Sequence, residues 1–143
     1  MKPDPELPIE QQSEKVLCRM CLWAEARGEP ALGKLAILSV IDNLALRHAD
    51  SMKAVILHPK RFSSFNENDP NRDKLMSAYR EDPLQWMVCD VICELHEARV
   101  TSDPTVGADH YYNPAVAQPA WGRGAPDWKE GPVIGHHVFG NCP

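Results

Sequence analysis

The stretch "WAEARGEP", residues 23–30, sets two glutamates four residues apart in apolar company and then stops on Gly28 and Pro30. At about 100° per residue, Glu25 projects between Cys21 and Cys18, Arg27 points elsewhere on the wheel, and Glu29 offers only like charge. A carboxyl held against apolar neighbours has its charged form disfavoured, which raises its pKa towards the range a general acid needs near neutral pH. The competing reading is a frayed helix end that lets Glu25 reach water. Most glycosidases use two carboxyl groups, and no second acid stands out. Glu29 lies past the helix-ending glycine, and nothing in the pattern places Asp42, Glu67, Asp103 or Asp109. A second constellation, Asp109, His110, His136 and His137, puts four potential metal ligands within 29 residues and suits a zinc amidase or peptidase. It lacks a His-Glu-x-x-His helix and leaves Glu25 unexplained.

The elements that must position these groups are mostly helical. Val16, Leu17, Met20, Cys21 and Ala24 recur at helical spacing and predict a first helix from about Gln12 to Arg27. Gly28 ends it and Pro30 opens a second, to about His48, apolar on most of its surface and therefore expected at the centre of the fold. Ser51 is a natural N-cap for a short helix to about Leu57. The loop "KRFSSFNENDPN" follows, then a short helix over residues 71–80. Asp82 as cap and Pro83 at the first position open a long helix whose stripe is Leu84, Met87, Val88, Val91, Ile92 and Leu95. After the turn "TSDPTVG" the texture changes, and "ADHYYN" and "PVIGHHVFG" predict two strands. On an alternating strand Gly135, His137 and Phe139 share one face, so only one of the two adjacent histidines faces any groove. Three aromatic-bearing loops, around Phe62–Asn66, Tyr111–Asn113 and Trp121–Trp128, are placed to rim one groove. The expectation is an α+β fold, mostly α, with a small β element near the C-terminus.

Composition bounds the rest. A chain of 143 residues is long enough for one domain with a substantial core. Of the net charge of −5, residues 1–14 carry −3, from one lysine against four acids. The proline-rich, acidic residues 1–12 read as a disordered leader, and residues 13–143 as a single catalytic domain. The near-neutral body gives no footprint for nucleic acid. Arg47, Lys53, Lys60 and Arg61, with His48 and His58 between them, form the one basic cluster, and it reads as solvated surface. No apolar run is long enough to span a membrane, and no signal sequence is evident, so cytoplasmic synthesis is expected. Five cysteines, Cys18, Cys21, Cys89, Cys93 and Cys142, fit reduced thiols, with a zinc-binding set from the first four as the less favoured alternative.

"WAEARGEPALGKLAILSVIDN" strongly resembles the opening of the SleB-like cell wall hydrolase family, the spore cortex-lytic type of catalytic domain. "AVILHPKRFSSF", "DPTVGADHYYNPA" and "IGHHVFG" resemble that family's later elements in the same order, together covering roughly residues 16 to 140. The resemblance implies a lysozyme-like helical fold and cleavage of the glycan strand of bacterial peptidoglycan, between N-acetylmuramic acid and N-acetylglucosamine, in many members by lytic transglycosylation. The family's catalytic glutamate falls on Glu25. Matches to the later motifs make Ser63, Ser64, Tyr111, Tyr112, Asn113 and His137 candidate substrate contacts, with hydroxyls and an amide for polar sugar groups and rings for sugar faces. Arg27 and Glu29 read as scaffold, and Asn43 as a buried hydrogen-bonding residue. No metal or other cofactor is expected. A single-acid site suits transglycosylation, because the substrate's own hydroxyl replaces the second carboxylate's water. The absence of a signal sequence and wall-binding domain resembles a phage endolysin, a monomer held in the cytoplasm until a holin opens the membrane. The alternatives are the zinc enzyme above and a non-catalytic peptidoglycan-binding module.

Overall fold

The computed structural model describes residues 1–143. Five α-helices precede a small antiparallel sheet: α1 (Glu14–Ala26), α2 (Ala31–Arg47), α3 (Met52–Leu57), α4 (Arg72–Glu81), α5 (Pro83–Glu97), β1 (His110–Tyr112), β2 (Lys129–Ile134) and β3 (His137–Asn141). The sheet order is β1-β3-β2. The expected α+β fold, mostly helical with its β element near the C-terminus, is the one observed.

α1 starts where Ser13 accepts a hydrogen bond from the Val16 amide, and α3 where Ser51 does the same for Ala54. All eight residues from Val16 to Trp23 are buried, which makes α1 as central as α2. It packs on each of the other four helices. Its one buried charge within that run, Arg19, is answered by Asp90 and by both oxygens of Glu97 on α5, at 2.8 and 3.3 Å for the latter. Asp82 holds the expected N-cap position of α5 without a side-chain capping bond: its carboxylate instead accepts the Trp23 indole N–H at 2.9 Å, tying α5 to α1.

The inward face of α5 is only partly the expected one: of the expected stripe, Ile92 is buried and Val88 packs partly on the core. Trp86, Cys89, Ile92 and Cys93 pack inward, while Leu84, Met87, Val91 and Leu95 are exposed. The helix is apolar nearly all round, so periodicity alone selects a stripe without saying which side meets the core.

Residues 1–12 correct another expectation. They are a strap packed on the helices, not a free leader. Ile9 is buried, and the buried Gln12 donates to the carbonyls of Asp4 and Leu7 at 2.7 and 2.8 Å. Glu10 pairs with Arg72, and the Trp86 indole donates to the Met1 carbonyl.

The segment expected as one strand, "PVIGHHVFG", is a hairpin. Gly135, at φ 59°, turns β2 into β3, giving three strands where two were expected. His137 and Phe139 still share a face of β3, and Tyr111, paired with Phe139 across the β1–β3 ladder, joins them. The rings of Tyr111 and His137 meet edge to face at 5.1 Å.

Candidate active site

Glu25 sits on the last turn of α1, and two unlike residues hold that turn in place. The fully buried Lys34 of α2 donates its ammonium to the carbonyls of Ala26 and Glu29, both at 2.7 Å, and more weakly to Arg27. A cation there complements the negative end of α1 and satisfies carbonyls that the helix leaves unpaired. Glu29, also buried, accepts the His136 backbone N–H at 3.1 Å and lies 2.6 Å from His137 Nδ1, a close polar contact without hydrogen-bond angles. Gly135 passes so close that a Cβ on it would collide with Glu29 Oε2. The helix corner and the β-hairpin are thus locked together, and Glu29 is scaffold, as expected. Arg27 is scaffold too, its guanidinium lying 4.3 Å over the Trp23 ring.

Glu25 forms no ion pair, and its partner is the Tyr111 hydroxyl, which donates to Oε2 at 3.4 Å. Burial raises its pKa above the ordinary glutamate value, the Tyr111 hydrogen bond partly opposes that rise, and the charge of Asp69 adds to it. Tyr111 itself is pushed well above the usual phenol range by burial and by the Glu25 charge, so it remains a donor. Of the two readings of Glu25, the structure favours the desolvated carboxyl.

The carboxyl opens into a cavity of about 650 Å³, within the range of small-ligand sites. Phe62, Tyr111 and Trp121 line it, one from each of the three aromatic loops. Val40 and Leu44 of α2 supply apolar wall, and Arg47, His48, Lys60 and Arg61 line it as well.

Among the six candidate substrate contacts, Tyr111 alone lines this cavity. Tyr112 points to the other face of β1, buried against Trp121 and Trp128, where its hydroxyl accepts the Arg123 amide. Asn113 folds its own turn, its side chain accepting the Ala115 N–H. Ser63 is exposed and Ser64 buried in a single 3-10 turn next to Phe62. His137 lies behind Tyr111, half-buried, with a pKa lowered by burial against the opposing pull of Glu29. His136 is mostly exposed.

The zinc constellation does not assemble. Asp109 pairs with Arg47 and with His110 at 2.8 Å, while His136 and His137 turn to Glu29 at the hairpin. His110 and His137 side chains also lie on opposite faces of the sheet, by the β1–β3 register. No three His, Cys, Asp or Glu side chains converge as metal ligands anywhere in the chain. Cys18, Cys21, Cys89 and Cys93 are buried free thiols whose pKa values burial raises, Cys18 to about 12 and Cys89 to about 11.

Of the acids that the pattern leaves unplaced, Asp109 is paired as above and Glu67 is exposed. Asp42 pairs with His96, and Asp103 accepts from Asn43, Thr105 and Gly107 to shape the turn before β1. Asn43 therefore bridges α2 to that turn. Two residues escaped the sequence reading. Lys34 had a usable signal, a cation in the first turn of a greasy helix; Asp69, one polar residue in a polar loop, had none.

The chain is thus a mostly helical α+β domain with a small C-terminal sheet, and the half-buried carboxyl of Glu25 opens into its aromatic-lined cavity. A family model described as Cell Wall Hydrolase matches residues 28–140, and the chain belongs to that family. The matched span opens just past Glu25. Spore cortex-lytic enzymes of Oceanobacillus iheyensis and Halalkalibacterium halodurans are each 28% identical to it, over 90% and 87% of this chain but only 41% and 34% of theirs. The chain thus spans less than half the length of these relatives. Among solved structures, the catalytic domain of the germination-specific lytic transglycosylase SleB from Bacillus anthracis superimposes with a TM-score of 0.65 at 22% identity, covering 98% of this chain and 99% of that one. The Bacillus cereus SleB catalytic domain gives 0.64 at 23%, covering 99% and 95%.

Proposed function

We propose that this chain cleaves the glycan strand of bacterial peptidoglycan at the N-acetylmuramic acid to N-acetylglucosamine bond, as a lytic transglycosylase with Glu25 as acid and then base. One observation carries the reading: Glu25 is a desolvated carboxyl with no cationic partner, facing a cavity lined by three aromatic rings. Membership of the cell wall hydrolase family and the shared fold support the same reading.

In the proposed reaction Glu25 gives its proton to the glycosidic oxygen as the bond from the anomeric carbon breaks. The muramic acid's own 6-hydroxyl then closes on that carbon, and the Glu25 carboxylate takes the hydroxyl proton. No water is consumed, the product is a 1,6-anhydro ring, and Glu25 ends in its starting state. Tyr111 holds the carboxyl in place, and the rings of Trp121 and Tyr111 offer apolar faces to the sugars.

Replacing Glu25 by Gln tests this. Release of anhydromuramyl products from purified peptidoglycan, followed by mass spectrometry, is expected to fall by roughly 10²–10⁴-fold. The fold should survive. The folded state holds the Glu25 proton above the ordinary value of 4.5, so ionising it costs stability as pH rises through the raised value. Glutamine removes that cost, and the melting temperature at neutral pH should stay level or rise. Near-parental turnover by the variant would end the proposal.

Asp69 favours a second reading. Its charge adds to the rise in the Glu25 pKa, although its Oδ1 accepts the Asn71 N–H at 2.8 Å and it does not line the cavity; a hydrolase in which this second acid activates water is the competing chemistry. Products with reducing ends in place of anhydro ends would select it. The proposal also includes the role of a phage endolysin, made in the cytoplasm and reaching the wall through a holin. Culture lysis that depends on co-expressing a holin is the expected result.

A further inference from the structure

The basic cluster at residues 47–61 is split by the fold. Lys53 turns away to the Gln12 carbonyl at 2.8 Å, and His58 faces a separate, smaller hollow. Arg47, His48, Lys60 and Arg61 line the cavity that holds Glu25. A chain of net charge −5 has thus gathered three permanent cations on the walls of one cavity.

Their charges are not equally free. Arg47 is committed, to the Asp109 carboxylate and to the Cys142 carbonyl at 2.9 Å. Asp109 is in turn shared with His110 at 2.8 Å, so that acid is fully matched. Lys60 and Arg61 enter none of the chain's ion pairs. The remaining acidic side chain on the cavity wall is Glu25, which the proposed reaction starts in its neutral form. Two uncompensated cations facing a partly enclosed space attract an anion far more strongly than the same charges on an open surface.

The sugars of a glycan strand carry hydroxyl and acetamido groups, none of them charged. The anionic groups next to the scissile bond are carboxylates, either on the peptide stem attached to muramic acid or on its lactyl arm when the stem is missing. Resting on the glycan-cleavage reading above, we propose that Lys60 and Arg61 form a carboxylate-binding subsite, which selects anionic, carboxylate-bearing muramic acid over neutral forms.

Three substrates test it: intact peptidoglycan, the same material with its carboxylates amidated by carbodiimide coupling, and strands stripped of stems by an amidase so that only the lactyl carboxylate remains. The parent protein is expected to show a kcat/KM about tenfold higher on intact than on amidated material, carried by KM. The double variant Lys60→Gln, Arg61→Gln is expected to lose that preference. In intact strands the lactyl carboxyl is tied up in its amide to the stem, so the preference for intact over amidated material reads the stem carboxylates. Stripped strands that behave like intact material show that the lactyl carboxylate fills the same subsite, and stripped strands that behave like amidated material assign the subsite to the stem alone. A parent indifferent to amidation, or a double variant that keeps the preference, overturns the subsite. Cosedimentation of the Glu25→Gln protein, with and without the Lys60 and Arg61 changes, reads the same contrast as binding. Failure of the cleavage reading therefore leaves the carboxylate subsite separately measurable.

Discussion

Glu25 and Tyr111 form a two-residue unit whose parts pull in opposite directions. Burial favours the protonated carboxyl, and the Tyr111 hydroxyl, donating at 3.4 Å, favours the ionised one. The balance leaves the pKa raised. Tyr111→Phe removes the donor but keeps the ring packed on His137 and Phe139. The Glu25 pKa then rises further, and the limb on which kcat/KM declines with increasing pH is expected to move to higher pH. A pH–rate profile of the purified variant checks this; an unmoved limb, or one displaced to lower pH, contradicts the assigned role. Glu25 was legible in the sequence because an acid in an apolar helix is a local conflict, and such conflicts collect where chemistry is done. Tyr112 and Asn113 are candidates by their match to the later motif and by their polar groups, and strand alternation plus a turn send both elsewhere. Successive side chains of a strand point to opposite faces, so Tyr112 turns from Glu25 towards Trp121 and Trp128.

The elements show where local patterning carries information and where it runs out. Helix starts at Ser13 and Ser51, and the junction at Gly28 and Pro30, follow from backbone chemistry that acts over three or four residues. The inward side of α5 does not, because Leu84, Met87, Val91 and Leu95 are as apolar as Trp86, Cys89, Ile92 and Cys93. Choosing between the two stripes needs the indole bonds of Trp86 and Trp23 and the Arg19 pairs, all contacts between residues distant in sequence. The same holds for the α1–α2 corner, which depends on Lys34. Lys34→Met keeps most of the aliphatic volume and deletes the donor shared by three carbonyls, so a destabilisation of roughly 2 kcal/mol is expected. Denaturant unfolding measures it. Because the corner aims Glu25, turnover by the folded variant should fall more than substrate affinity. An unchanged unfolding midpoint would show that Lys34 is a passenger.

Over the whole molecule, α1 joins two regions with different duties. Its C-terminal turn carries Glu25, and its N-terminal end is entered from the strap of residues 1–12. Thirteen helical residues separate these ends by about 20 Å at 1.5 Å per residue. The strap buries Ile9, occupies Gln12 and gives Trp86 an acceptor, without touching the cavity. Deleting residues 1–11 removes about 1.5–3 kcal/mol of apolar burial at Ile9 alone. It also strips Gln12 of its acceptors, and the regained chain entropy offsets part of the loss. The net expectation is a loss of roughly 2–4 kcal/mol, seen as a lower melting temperature. At a temperature where the shortened chain is still folded, the pH dependence of cleavage should match the parent, since neither Glu25 nor Tyr111 has lost a neighbour. A displaced pH profile in a folded protein would mean that α1 transmits strain along its length, and that stability and chemistry are not held at opposite ends of it.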